Sequence, residues 1–219
     1  MRANDRPVLG FLHTADVHVE TFDLLVAESG HEVETVHLVQ PELLELARAD
    51  GAEHEVVRTR TEAALAVLAG LTPRFIVCTC STIGSLAESV TSPVPVLRVD
   101  RPMAKLAVRT GANIAVVAAL ESTIEPTLSL LREVIAASGY SPALASLPCL
   151  HVWPLFEAGR SADYSRSVAD HVNSIGPQFD VVVLAQASML GALPMATRPG
   201  VLASPVVAVE YALRRLGSA

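Results

Sequence analysis

The chain has 219 residues, enough for one large α/β domain or two smaller lobes, and its 51% hydrophobic content fills a core and excludes global disorder. A net charge of −7 with no basic block argues against nucleic acid and anionic membrane surfaces as partners. Aromatic residues are only 4% while Ala, Val and Leu dominate, which suits helices packed on a buried parallel sheet better than an aromatic β-sandwich.

Short apolar runs alternate with helical patterns from the start. Val8–Leu12 reads as a strand, 20–29 as a helix that stops at Gly30, and 32–38 as an alternating strand. Helices follow over 41–49 and 62–71, then a buried strand over 75–79, a short helix over 85–89 and a strand over 94–97. The second half repeats the scheme: strand 114–118, helix 126–138 ended by Gly139, strand 143–147, helix 161–175, strand 181–185, short strand 201–202 and a last helix over 205–216. This alternation predicts an α/β fold with mostly parallel sheets flanked by helices.

The halves superimpose by spacing. His13 and Cys80 are 67 residues apart, as are Ala119 and Gln186; a further 15 residues lead from Cys80 to Pro95 and from Gln186 to Val201. "FLHT" then matches "VAAL", and "TCSTIG" matches "AQASML". Two pseudo-symmetric lobes are expected, one from 1–98 with 204–219 and one from 99–203, with a ligand in the cleft between them beyond the carboxyl ends of the strands.

At those strand ends stand His13-Thr14, Cys80-Ser81-Thr82, Ala119 to Thr123 and Gln186-Ala187-Ser188. Cys80 opens a turn into a helix, where backbone amides favour an anion and thiolate character; the same amides with Ser81 and Thr82 suit a substrate carboxylate. The plainer alternative is that Cys80 is a small buried apolar residue, which is the reading for Cys78 and for Cys149. Thr14 suits a carboxylate and His13 an acid, against a capping threonine and a partly buried histidine; His18 is a weaker candidate. Ser122 and Thr123 either cap a helix or bind a carboxylate. Asp100-Arg101 reads as a cap and a surface charge pair, His151 and Trp153 as packing residues of a connecting loop, and Met189 and Leu190 as helix packing or an apolar subpocket. Cys-x-Cys without a matching pair argues against a metal site. No phosphate loop, dinucleotide fingerprint, metalloprotease helix or nucleophile elbow occurs. The odd count of three cysteines argues against a disulfide framework and for a reducing cytosol. No apolar run is long enough to span a membrane, and "MRANDRPVLGFLHT" lacks the architecture of a signal peptide.

At "CTCSTIG", "GANIAVVAALEST" and "VVVLAQASM" the chain resembles the Asp/Glu racemase superfamily, which includes aspartate, glutamate and hydantoin racemases, maleate isomerase and arylmalonate decarboxylase. The likeness covers nearly the whole chain. It implies a cofactor-independent enzyme in which thiols facing each other across the cleft move a proton at the carbon α to a carboxylate, without metal or pyridoxal phosphate, and often a homo-oligomer. The family's first motif, Cys followed by Asn or Ser and then Thr, matches Cys80-Ser81-Thr82. The second reads Leu-Gly-Cys-Thr or Leu-Gly-Cys-Ala, and here the stretch is Leu184-Ala185-Gln186-Ala187, so Gln186 takes the cysteine position. Glutamine hydrogen-bonds but does not exchange a proton near neutral pH. The resemblance therefore implies a racemase or isomerase with Cys80 on one face and another acid, His13, on the other. The alternatives are a cofactor-free decarboxylase with Cys80 as its single proton donor, and a carboxylate-binding protein without turnover.

Overall fold

The computed structural model describes residues 6–217. The chain divides into two compact units: residues up to Val99 together with those from Ala208 onward, and Asp100–Val207.

The first unit is built on a four-stranded parallel sheet of β1 (Val8–His13), β2 (Glu34–Val39), β3 (Phe75–Cys78) and β4 (Val96–Arg98), in the order β2-β1-β3-β4. Its helices are α1 (Val17–Glu28), α2 (Pro41–Asp50), α3 (Glu55–Ala69) and α4 (Ser81–Ser89). Strand alternation sorts side chains between two faces. Leu12, Ile76 and Cys78 join Leu43, Val57, Leu65, Leu68 and Ile83 from α2, α3 and α4 in one core. Phe11 points the other way and meets Phe22 of α1, ring centroids 5.0 Å apart.

The second unit has β5 (Asn113–Val117), β6 (Ala143–Ser146), β7 (Val181–Leu184) and β8 (Val201–Ala203), all parallel, in the matching order β6-β5-β7-β8. Here α5 (Arg101–Thr110) and α6 (Ile124–Ser138) cover one face, packing on Ile114, Val116, Val181 and Val183. On the other face, α7 (Trp153–Glu157), α8 (Ser161–Ser174) and a 3-10 segment, Ala187–Met195, pack on Ala115, Val117, Val182 and Leu184. The last helix, α9, runs Ser204–Gly217.

Several expectations are amended. The segment from Arg101 to Thr110, for which only a cap at Asp100-Arg101 is anticipated, is a full helix that buries Pro102, Met103, Ala104, Ala107 and Val108. Helix α3 starts seven residues earlier than the periodicity suggests, where the His54 ring accepts from the Val56 amide. The internal match shifts by one residue on each side. Leu12 pairs with Cys78 and Val117 with Leu184, separations of 66 and 67 residues. Thus His13 corresponds to Ala118, not Ala119. Pro95 and Gly200 occupy equivalent positions, their carbonyls accepting from Ile76 and Val182, so Val201 is not the partner of Pro95. The match of Cys80 with Gln186 is kept, each lying two residues beyond its strand.

Among the described residues, no helix is long and apolar enough to cross a membrane.

Candidate functional site

In the first unit, β1 and β3 deliver His13, Thr14, Cys80, Ser81 and Thr82 to neighbouring strand ends, all of them buried or nearly so. Cys80 is the N-cap residue of α4, in extended conformation and 8% exposed. Its side chain makes no capping bond, and Ser81 and Thr82 form the first turn of the nine-residue helix. The amides of that turn carry the positive end of the helix dipole. Cys78, two residues earlier, is fully buried in the sheet, its thiol donating to the Cys80 carbonyl at 3.8 Å. Thr14 is not the cap of α1; Asp16 is, its carboxylate accepting from the Val17 amide at 2.9 Å.

His13 does not stand as a free acid. Its Nδ1 lies 2.9 Å from Thr79 Oγ1 and its Nε2 2.8 Å from His37 Nδ1, so both ring nitrogens are engaged by protein. Burial, with the neighbouring His37 and His18 adding to it, lowers the ring to about 3, so it is neutral near pH 7. The acid expected at His13 thus meets protein partners, Thr79 and His37, at both ring nitrogens. His18 is also lowered, to about 4, by burial.

Arg98, at the end of β4, is one of the largest buried side chains in the chain. It packs across α4 at Gly84, where an added Cβ would sit 2.9 Å from Arg98 Cβ. Asp100 is buried, makes no capping bond to α5 and is no surface charge; Arg101 pairs instead with Glu133 at 2.8 Å.

In the second unit, Gln186 is the residue before the 3-10 segment. Its Oε1 accepts from the backbone amides of Ala119 (2.6 Å) and Leu120 (3.1 Å) at the end of β5. Two N–H donors fix the amide orientation, leaving the NH2 as the group Gln186 can present to a ligand. Ala187 is buried, and the Ser188 hydroxyl lies 3.0 Å from that of Tyr164, whose burial raises it so that the phenol stays protonated. Thr123 is at the N-cap of α6 but its side chain makes no capping bond, and Ser122 precedes it in a 3-10 turn. Ser204, at the end of β8, buries a hydroxyl that has no hydrogen-bond partner. Cys149 is buried and its thiol is pushed up to about 11 by burial, so it stays protonated near neutrality. Trp153 is helical rather than in a loop, donating to Glu157 at 2.7 Å. Among the described residues no group of three or more His, Cys, Asp or Glu is placed to hold a metal ion.

No family model and no curated protein matches this sequence. Solved structures do. Aspartate racemase of Picrophilus torridus superposes with a TM-score of 0.75 at 14% identity, over 96% of this chain and 94% of that one. The fold is that of the aspartate and glutamate racemases. Glutamate racemase of Thermus thermophilus, solved with β-chloro-D-alanine, gives 0.62 at 20% identity over 97% and 81%. Allantoin racemase of Pseudomonas fluorescens gives 0.55 at 16% identity over 96% and 92%.

Sequence reasoning passed over Thr79, His37, Asp23, Arg98, Tyr164 and Ser204. For Arg98 the signal was present, a lone charge closing the apolar run "VPVLR". So it was for His37, a histidine within the strand "ETVHLV".

Proposed function

We propose that this protein is a cofactor-independent enzyme of the Asp/Glu racemase type, an isomerase in which Cys80 moves a proton at the carbon α to the carboxylate of a small acid. The observation that carries the reading is Cys80 itself, a thiol at the N-cap of α4, beside two buried hydroxyls, in a racemase fold. As a thiolate, Cys80 takes the α-proton to leave a planar enediolate; water then protonates the opposite face, and the Cys80 thiol gives its proton to the hydroxide left behind, which inverts the carbon and restores the thiolate. Ser81, Thr82, Thr14 and the first-turn amides of α4 suit the carboxylate. In the second unit, the Gln186 NH2 and the Ser122, Thr123 and Ser188 hydroxyls with the Ala187 amide supply hydrogen bonds rather than a second thiol.

A second reading has an observation in its favour. Gln186 replaces a thiol and the His13 ring is neutral with both nitrogens engaged, so Cys80 is the one proton-transfer group assigned. A lyase that releases carbon dioxide from a substituted malonate needs one donor only.

The test is proton NMR in deuterium oxide with a panel of amino acids, hydroxy acids, hydantoins and substituted malonates. Deuterium at the α carbon without loss of material supports the isomerase. Loss of a carboxylate with deuterium in its place supports the lyase. Carboxylate binding without either reaction, unchanged in Cys80→Ser, contradicts both and leaves a binding protein. The free thiols favour a reducing cytosol. The resemblance also implies a homo-oligomer, which sedimentation reads directly.

A further inference from the structure

Behind Cys80 runs a continuous chain of hydrogen bonds whose directions can be worked out link by link. Thr79 Oγ1 donates to the Leu12 carbonyl at 3.1 Å, which also accepts the Thr79 amide at 2.9 Å. A hydroxyl has one hydrogen, so toward His13 Nδ1 the oxygen is an acceptor and Nδ1 carries the proton. With His13 neutral, its Nε2 is a lone pair, and His37 Nδ1 at 2.8 Å must be the donor. On the far side His37 Nε2 lies 3.0 Å from Asp23 Oδ1, and a carboxylate only accepts. All four links are satisfied together when His37 is protonated on both nitrogens, with Asp23 as its counter-ion.

The surroundings support that charge. Asp23 is 47% exposed and His37 13% in their side chains, whereas His13 is fully buried, so the proton rests at the solvent end. The rings of Phe11, His37 and His13 lie within 15° of parallel, and Phe11 offers the His37 cation a π face at 5.1 Å. The groups that face His37 are His13 and Phe11 from β1 and Asp23 from α1, with His18 of α1 beyond His13. Thr35 of β2 also donates to Asp23, at 2.7 Å. On the opposite face of β2, Val36 and Leu38 pack against the apolar core.

We propose that Asp23, His37 and His13 are positioning residues that hold Thr79, and through it the thiol of Cys80, the next residue in the chain. The proposal rests on the reading of Cys80 as the reacting group. Thr79 is pinned three ways: its amide and hydroxyl both bond Leu12, and its oxygen receives His13. When His37 loses its second proton the chain is one hydrogen short. Either two ring nitrogens then face each other with lone pairs, or Nε2 faces the carboxylate unprotonated. The β3–α4 junction is held when His37 is charged and loosens when it is not.

Two measurements on the full chain test this without any substrate. Long-range nitrogen–proton correlation spectra of histidine-labelled protein, recorded across pH, should show His13 as the Nδ1–H tautomer wherever His37 is protonated on both nitrogens, assigned with His13→Gln and His37→Gln. Alkylation by iodoacetamide, mapped to each cysteine by mass spectrometry across pH, reads the thiol. Thr79→Val and His37→Gln should change the Cys80 rate at least about threefold and shift its pH profile, Thr79→Ser should restore it, and Cys149 should not respond. A His13 ring protonated on Nε2, or an unchanged Cys80 profile in folded Thr79→Val and His37→Gln proteins, overturns the proposal. The exchange assay tests the enzymatic reading separately, so the two can fail independently.

Discussion

Thr79, Cys80 and Arg98 in the first unit stand where Ala185, Gln186 and Ala203 stand in the second, on sheets of the same strand order and direction. His13 likewise corresponds to Ala118. One frame thus carries a hydrogen-bonded polar chain at its strand ends, and its counterpart carries alanines with a single glutamine. Packing adjusts in step. Arg98 lies over Gly84 in the first unit, whereas the matched residues Ala203 and Leu190 share an apolar cluster in the second, so bulk is exchanged between strand and helix. The comparison teaches that the fold alone does not assign chemistry; the residues placed at equivalent strand ends do. It also makes the two units chemically unequal, with the thiol on one and hydrogen-bond donors on the other.

The largest expected effect on stability comes from the aromatic stack on β1 of the first unit. Phe11→Ala should cost about 3–5 kcal/mol in urea denaturation, and the matched Val116→Ala about 2 kcal/mol. Equal losses would show that the stack adds nothing special.

Acid should weaken the first unit more than the second. His13 and His18 are held neutral, with pKa lowered to about 3 and 4 from 6.5, so the unfolded chain binds protons that the folded one refuses. Their contribution is complete above pH 6.5 and is lost as pH falls toward 4, at up to about 1.4 kcal/mol per pH unit for each histidine. Hydrogen exchange at pH 7, 6 and 5 should show protection falling first in β1 and α1; uniform loss across both sheets contradicts this.

Gly84→Ala places a methyl 2.9 Å from Arg98 Cβ and should cost about 1–3 kcal/mol by denaturation. Combining it with Arg98→Ala should recover little of that loss, since alanine keeps the Cβ that the methyl meets and only the contact with Nε at 3.3 Å goes. The smallest effect is at Thr79. Thr79→Val removes one hydroxyl between Leu12 and His13 and should cost about 1 kcal/mol, while its effect on Cys80 reactivity is larger than that figure suggests.

The strands were legible because a parallel sheet covered on both faces reads as an apolar run, as in Val181–Leu184 and Phe75–Cys78. Cys80 was legible for a related reason: the run stops there and a helix begins. Helix α5 was overlooked although its pattern is clear: Met103, Ala104, Ala107 and Val108 fall on one helical face, away from Lys105 and Arg109, and the expectation of a cap and charge pair at Asp100-Arg101 did not extend to them. The environment of His13 could not be read locally. A histidine ending a strand looks the same whether its ring meets a ligand or a second ring 24 residues away, and only the β1–β2 register brings His37 to it. The use of Gln186 Oε1 by two amides 66 and 67 residues earlier is hidden for the same reason. Spacing alone matched the halves to within one residue, and that one residue separates His13 from its true counterpart.

The central claim is that proton transfer belongs to Cys80 and not to the residue in the matching place, Gln186. The most direct measurement is the rate of solvent deuterium entry at the α carbon for wild type, Cys80→Ala and Gln186→Ala, using the substrate that the panel identifies. Cys80→Ala should lower the rate by about 10²–10⁴-fold, while Gln186→Ala, which removes hydrogen bonds only, should keep it within about tenfold. Exchange that survives in Cys80→Ala would contradict the account, whatever Gln186→Ala does.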